Sequence, residues 1–178
     1  PETPLILNPL QEDCAYPFKE LSAAGLAFKL SQVLIGDGAR EYLDLVALST
    51  ISDIAPLTGE NRVLVKKGLA MISGRKNPGI RALAEIAKMK AAKVDTGHVG
   101  FILGPRLNAA GRMSSADTAL RLLMTDSPRE AESLAKILDA ENKERQRMER
   151  ETTQEAFRKV ERTVNFNRER VIVADGRG

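Results

Sequence analysis

Residues 127–163 read SPREAESLAKILDAENKERQRMERETTQEAFRKVERT, and this stretch sets the architecture around it. Ser127-Pro-Arg-Glu130 combines a capping serine, a proline at the first helical position and an acid at the third, which together start a helix. From Arg129 to Thr163 no glycine or proline interrupts it. At roughly 1.5 Å per residue the helix extends about 50 Å. Leu134, Ile137, Leu138, Met148 and Phe157 are sparse among charges and sustain no heptad, and Glu141 to Glu155 is polar almost all round. Such a helix is either a solvated bridge between two domains or a surface helix or coiled-coil arm.

Upstream, the pattern is helical almost throughout. Apolar residues Leu21, Ala24, Phe28, Val33 and Leu34 recur at helical spacing between Glu20 and Ile35, where Gly36-Asp-Gly38 ends the segment. Arg40 to about Ile51 predicts a second helix, apolar nearly all round and therefore central to the core. Thr58 caps a third through Met71, closed by Gly74, and Pro78-Gly79 opens a fourth to about Lys93. Asp95 or Thr96 caps a short fifth that leads into a loop, Gly104-Pro-Arg-Leu-Asn-Ala-Ala-Gly-Arg112. Ser114-Ser-Ala-Asp117 matches a capping box ahead of a helix over Ala119 to Met124. Two short strands are expected at the ends, Leu5-Ile-Leu7 before the turn at Asn8-Pro9, and the β-branched run that opens Val171 to Gly178. That last strand needs partners the chain does not supply, and the chain starts at Pro1 without a methionine, so an internal fragment is expected.

The totals bound the function. In 178 residues, 43% hydrophobic and 29% charged, there is material for one good core or two small ones. No apolar run approaches the roughly 20 residues of a membrane span. Cys14 is the single cysteine and nothing at the N-terminus resembles a signal peptide, which favours a reducing cytoplasm and no membrane partner. A net charge of +3 hints only weakly at a polyanionic partner. With 4% aromatic residues and no tryptophan, a surface of base-stacking platforms is disfavoured, and phosphate contacts are the expected mode.

Two segments carry chemistry. Asp53 ends the buried-looking helix before Pro56, facing the negative end of the helix dipole, so either a metal ion or an arginine compensates it or it makes a turn with its own backbone. It is one carboxylate, and with His98 the only histidine and no acidic cluster, a metal centre built from this chain is incomplete. His98 reads as a surface or capping residue, and Cys14 lacks the neighbours for thiol catalysis or zinc. In Gly104 to Arg112, Arg106 and Arg112 present planar donor forks, Asn108 adds a donor and acceptor, and Gly104, Ala109, Ala110 and Gly111 let a polyanion approach the backbone. The helix starting near Ser115 would add its N-terminal amides. Alternatively, the loop is a turn whose arginines pair with acids of surrounding helices.

The order of residues in GPRLNAAGR resembles the RecJ-type single-strand-specific DNA exonucleases of the DHH phosphoesterase superfamily. Leu7-Asn-Pro9, Tyr16-Pro-Phe-Lys19, the run Leu21 to Leu30, Asp44 to Asp53 and Glu60-Asn-Arg62 follow in that family's order, covering nearly the whole chain. Ser22 and Ser49 are small-residue departures, where the family more often has cysteine and glycine. The resemblance implies an α/β family fold of which this piece is mostly α-helical. It implies residues 1–126 as the C-terminal part of the catalytic domain, 127–165 as a connector helix and 166–178 as the start of the DHH-associated domain. The DHH triplet itself is absent. The implied chemistry is phosphodiester hydrolysis of single-stranded DNA, 5′ to 3′, by two Mn²⁺ or Mg²⁺ ions, in repair and recombination, with repair or replication proteins as further partners. Asp53 maps onto a metal ligand, and Arg106, Asn108, Gly111 and Arg112 onto phosphate or DNA-backbone contacts. The fragment alone is then inactive. Two other readings are a DHH phosphoesterase of short oligonucleotides or cyclic dinucleotides, and an inactive nucleic-acid-binding scaffold.

Overall fold

The computed structural model describes residues 6–113, 115–164 and 171–173, with 112 and 113 as backbone only. Along the chain come α1 (Ala23–Ile35), a 3-10 segment (Gly36–Tyr42), α2 (Leu43–Ser52), α3 (Gly59–Gly74) and α4 (Pro78–Ile86). There follow the single turn α5 (Thr96–His98), a π segment (Val99–Leu103), α6 (Gly104–Met113), α7 (Asp117–Met124) and α8 (Pro128–Thr163). The mostly helical expectation holds. No strand forms among the described residues: Ile6 and Leu7, and likewise Val171 to Val173, are irregular. Their backbone groups have no neighbouring strand to pair with. Leu5 and residues 165–170 and 174–178 lie outside the described residues, as do the ends of both expected strands.

Local chemistry sets the helix ends. Ser22 Oγ accepts from Gly25 N–H at 3.1 Å and starts α1 at Ala23 rather than Glu20. The chain leaves α1 at Gly36, whose φ of +58° suits a residue without a Cβ. The next turns tighten into the 3-10 segment, which delays α2 to Leu43. Helix α3 does run to Gly74, but the left-handed residue that closes it is Arg75. Helix α4, capped by Asn77 and opened by Pro78, stops at Ile86 and not near Lys93. There Lys88 turns left-handed and Met89 N–H bonds back to Ala84 O at 2.9 Å, a C-terminal closure that tucks Met89 into the core.

The main core gathers Leu83 of α4, Leu103 of the π segment, Leu122 of α7 and Leu138 of α8 around Ala47, Leu48, Val65 and Ile72. A smaller cluster joins Leu21 and Phe28 to Leu43, Val46 and Leu64. Helix α2 contributes to both, as its all-round apolar pattern requires. Its closest neighbour is α3: a Cβ on Gly68 would lie 2.1 Å from Leu43 O.

Helix α8 spans 36 residues, about 54 Å at 1.5 Å per residue. Ser127 caps it, accepting from Glu130 N–H at 3.4 Å. The Glu130 carboxylate does not close the box; it takes Thr125 Oγ1 and Arg121 instead. Ala131, Leu134, Ala135, Leu138, Asp139 and Asn142 form a buried stripe at helical spacing against α4, α6 and α7. The solvated part begins later than the expected Glu141. Asn142 is buried and Arg145 partly so, and the exposed run starts at Gln146.

Candidate nucleic-acid interface

The C-terminal end of α2 presents Asp53 to solvent. The carboxylate accepts from Ser49 Oγ at 3.1 Å, one turn back on the same helix, and not from its own backbone. No ion pair to Asp53 forms among the described residues. The desolvation expected of a buried carboxylate is absent because the chain turns outward at once. Ile54 adopts φ +56° and is 88% exposed, while Ala55 N–H bonds Thr50 O at 3.1 Å. A β-branched side chain in that conformation costs about 1–2 kcal/mol. The strain sits directly beside Asp53.

Gly104 to Arg112 is not a loop. It is most of α6, continuous with the π segment through a bond from Gly104 N–H to Val99 O. Pro105 falls in the first turn after the π-to-α change, where its missing N–H is tolerated. A Cβ on Gly104 would lie 2.5 Å from Ser52 Oγ, and one on Gly100 would lie 3.7 Å from Ile51. The start of α6 is therefore seated on the last turn of α2, one residue from Asp53.

The helix also re-sorts the small residues. Ala109 and Ala110 point inward and are fully buried, so they pack the core and do not admit a polyanion. Asn108 and Gly111 are exposed, and a Cβ on Gly111 would meet nothing within 4 Å. Arg112 follows Asn108 by four positions, the spacing that places residues on one helix face. Its side chain lies outside the described residues. The helix expected near Ser115 begins at Asp117 instead, which puts an acid in its first turn, and the Asp117 N–H is taken by Ser115 Oγ at 3.1 Å. Ser114 lies outside the described residues. His98 closes a capping box with Asp95, which accepts from His98 N–H at 2.9 Å, in agreement with a capping role.

No family model matches the chain. It is 43% identical over 161 residues to the single-stranded-DNA-specific exonuclease RecJ of Bacillus subtilis strain 168, covering 90% of this chain and 20% of that relative. With the RecJ of Escherichia coli K12 it shares 40% identity over 165 residues, 84% of this chain and 29% of the relative. The crystal structure of RecJ in complex with Mn²⁺ from Thermus thermophilus matches with a TM-score of 0.70 at 39% identity, over 82% of this chain and 22% of that one. Along its matched length the chain is similar to RecJ, of which it spans 20% to 29% in these proteins.

Three of the segments that carry the resemblance, those holding Tyr16, Lys29 and Glu60-Asn61, are tied together. Tyr16 Oη donates to Glu60 Oε1 at 2.7 Å, Lys29 pairs with Glu60, and Asn61 Nδ2 donates to Glu20 O at 2.7 Å. These residues brace α1 against α3 and stand apart from the motif helix. Arg106, expected on phosphate, is turned into the protein. Its Nε donates to Asp139 Oδ1 of α8 at 2.9 Å and its Nη1 to Ile102 O at 2.7 Å, with the side chain 16% exposed. For this arginine the pairing alternative is the one realised. Lys143 holds the other oxygen of Asp139 at 2.6 Å. Burial alone would raise the Asp139 carboxyl, but the hydrogen bonds from Lys143 and Arg106 outweigh it and hold the group below its ordinary value. Sequence reasoning missed Asp139, although its signal was present: a charge on the inward stripe of α8 demands a partner.

Proposed function

We propose that the full-length protein is a metal-dependent exonuclease that degrades single-stranded DNA from 5′ to 3′ in repair and recombination, with other repair or replication proteins as partners. This stretch contributes one metal ligand and a phosphate grip. The matched relatives are named single-stranded-DNA-specific exonucleases, and matched structures are RecJ with Mn²⁺ or Mg²⁺. Because the chain spans 20% and 29% of two of those relatives, the activity is assigned to the whole protein and not to these residues alone. Residues 1–126 are assigned to the catalytic domain, 127–165 to the connector and 166–178 to the start of the next domain. A cytoplasmic location suits a chain whose one cysteine is free, and no described helix is long and apolar enough to cross a membrane.

The observation that carries this reading is the seating of Gly104 on Ser52, which sets the motif helix against the helix end that bears Asp53. An exposed carboxylate held by one hydroxyl and paired with no described cation fits a divalent ion as a single oxygen ligand. Among the described residues no group of three or more His, Cys, Asp and Glu gathers, so the other ligands belong to the rest of the protein. When bound, Mn²⁺ or Mg²⁺ supplies an activated water and neutralises charge on the reacting phosphate. Ser49 orients the Asp53 carboxylate. Asn108, exposed on α6, and Arg112, four positions on, hold phosphate oxygens of the strand, and the exposed Gly111 between them lets the backbone come close.

The test offers full-length protein with Mn²⁺ a 5′-labelled single strand, the matching duplex and a dinucleotide. Rapid release of nucleotides from the 5′ end of the single strand, with little action on the other two, is expected. Preference for the dinucleotide, or binding without cleavage, overturns the reading.

A further inference from the structure

We infer that Arg106 is a positioning residue and not a DNA ligand: through Asp139 it locks the motif helix α6 to the connector helix α8 in one register. The inference rests on the reading of Asn108 and Arg112 as the phosphate grip.

Three observations carry it. First, two donors of Arg106 are directed into the protein, Nε to Asp139 and Nη1 to Ile102 O, at the turn where the π segment hands over to α6. One guanidinium thus ties the π-to-α junction to α8. Second, Asp139 is itself nearly buried, with a side-chain exposure of 7%, and Lys143 takes its second oxygen. Third, the contact stripe of α8 is polar where apolar residues would suffice, because Asn142, one turn on, is also buried and receives Arg145 Nη2 at 3.4 Å. Buried ion pairs contribute little net stability against apolar residues of equal volume, yet removing one partner is costly. A pair of this kind fits one arrangement only. Sliding α6 along α8 by a turn, about 5.4 Å, would strand both charges, whereas leucines and alanines would repack. Asn108, Gly111 and Arg112 lie within two turns of Arg106 on the same rigid helix, so their position relative to Asp53 is set by α8. A rotation of the connector is then felt at the phosphate grip.

The experiment uses full-length protein and a single-stranded oligo-dT under Ca²⁺ or EDTA, measuring affinity across a salt series. Variants are Arg106→Gln, Arg106→Lys, Asp139→Asn, the Arg106→Gln/Asp139→Asn double, and Arg112→Gln. Each lost phosphate contact lowers the salt slope by about 0.7 on a single strand, which is expected for Arg112→Gln. Arg106→Gln and Asp139→Asn are expected to weaken binding alike, by about tenfold, with the salt slope unchanged. The double is expected to be no worse than either single, and Arg106→Lys to recover part of the loss. Asn77→Ala removes the cap of α4 and lowers the melting temperature without touching α6, so its affinity, measured below every melting point, is expected to stay at wild type. A reduced salt slope for Arg106→Gln, or wild-type affinity for Asp139→Asn, overturns the positioning role. An unchanged slope for Arg112→Gln instead removes the phosphate-grip reading, while non-additivity of Arg106 and Asp139 still reports on the lock.

Discussion

Gly104 stands so close to Ser52 that a Cβ on it would lie 2.5 Å from the serine hydroxyl oxygen. Ser52 Oγ is buried and has no hydrogen-bond partner among the described atoms, so the helix ends meet tightly there without a polar tie. Gly104→Ala is expected to force α6 away from α2 and to destabilise the protein by about 1–3 kcal/mol in urea melts, as overpacking does. An unchanged midpoint would show that the two helix ends are free to separate.

Gly111 predicts the opposite sign on stability. It sits in α6 facing open space, so Gly111→Ala is expected to stabilise the chain by about 0.5–1 kcal/mol, the usual helix-interior gain. In the full-length protein the same methyl stands where a phosphate is proposed to approach the backbone, so affinity for a single strand is expected to fall. Gains in both would remove Gly111 from the interface.

Acid should weaken the Arg106–Asp139 lock. The folded carboxyl of Asp139 is held below its ordinary value, so its contribution is present above the unfolded pKa of about 3.9 and is lost as pH falls through the folded one. Urea melts of Asp139→Asn are expected to show a full deficit near neutral pH and a shrinking one below about pH 4. A deficit that persists undiminished into strong acid contradicts the ionised pair.

Asp44 has the reverse sign. Burial raises its carboxyl, and bonds from the backbone N–H groups of Leu45 and of Asp44 itself only partly offset this. Its stabilising, protonated form is present below the unfolded pKa of about 3.9 and is lost as pH rises through the folded value. Asp44→Asn is therefore expected to melt later than wild type at pH 7, with the difference vanishing in acid. Equal melting at neutral pH would mean that the charge is well solvated.

What the sequence made legible follows the strength of local signals. Ser127-Pro128 placed the start of α8 correctly because cap and proline act within one turn. Asp95 and Asn8 behaved as their side chains dictate, capping α5 and bonding Leu10 N–H. The motif reads as a loop because two glycines and a proline in Gly104 to Arg112 are local breakers, but their cost is outweighed by tertiary packing: Gly104 fits against Ser52, and Ala110 fills the core. The π segment that makes this seating feasible has no local sequence signature. Donor chemistry and the resemblance place Arg106 on phosphate, whereas its partner Asp139 is 33 positions away on another helix, beyond the reach of any local signal.

The central claim, that Asp53 serves the reaction while α6 serves the grip, is tested most directly by single-turnover cleavage and oligonucleotide affinity of full-length Asp53→Ala beside Arg112→Ala, in Mn²⁺. Asp53→Ala is expected to lose at least about a thousandfold in rate, a barrier increase of about 4 kcal/mol, with affinity within about threefold of wild type. Arg112→Ala is expected to lose chiefly affinity. A wild-type cleavage rate for Asp53→Ala would contradict the claim.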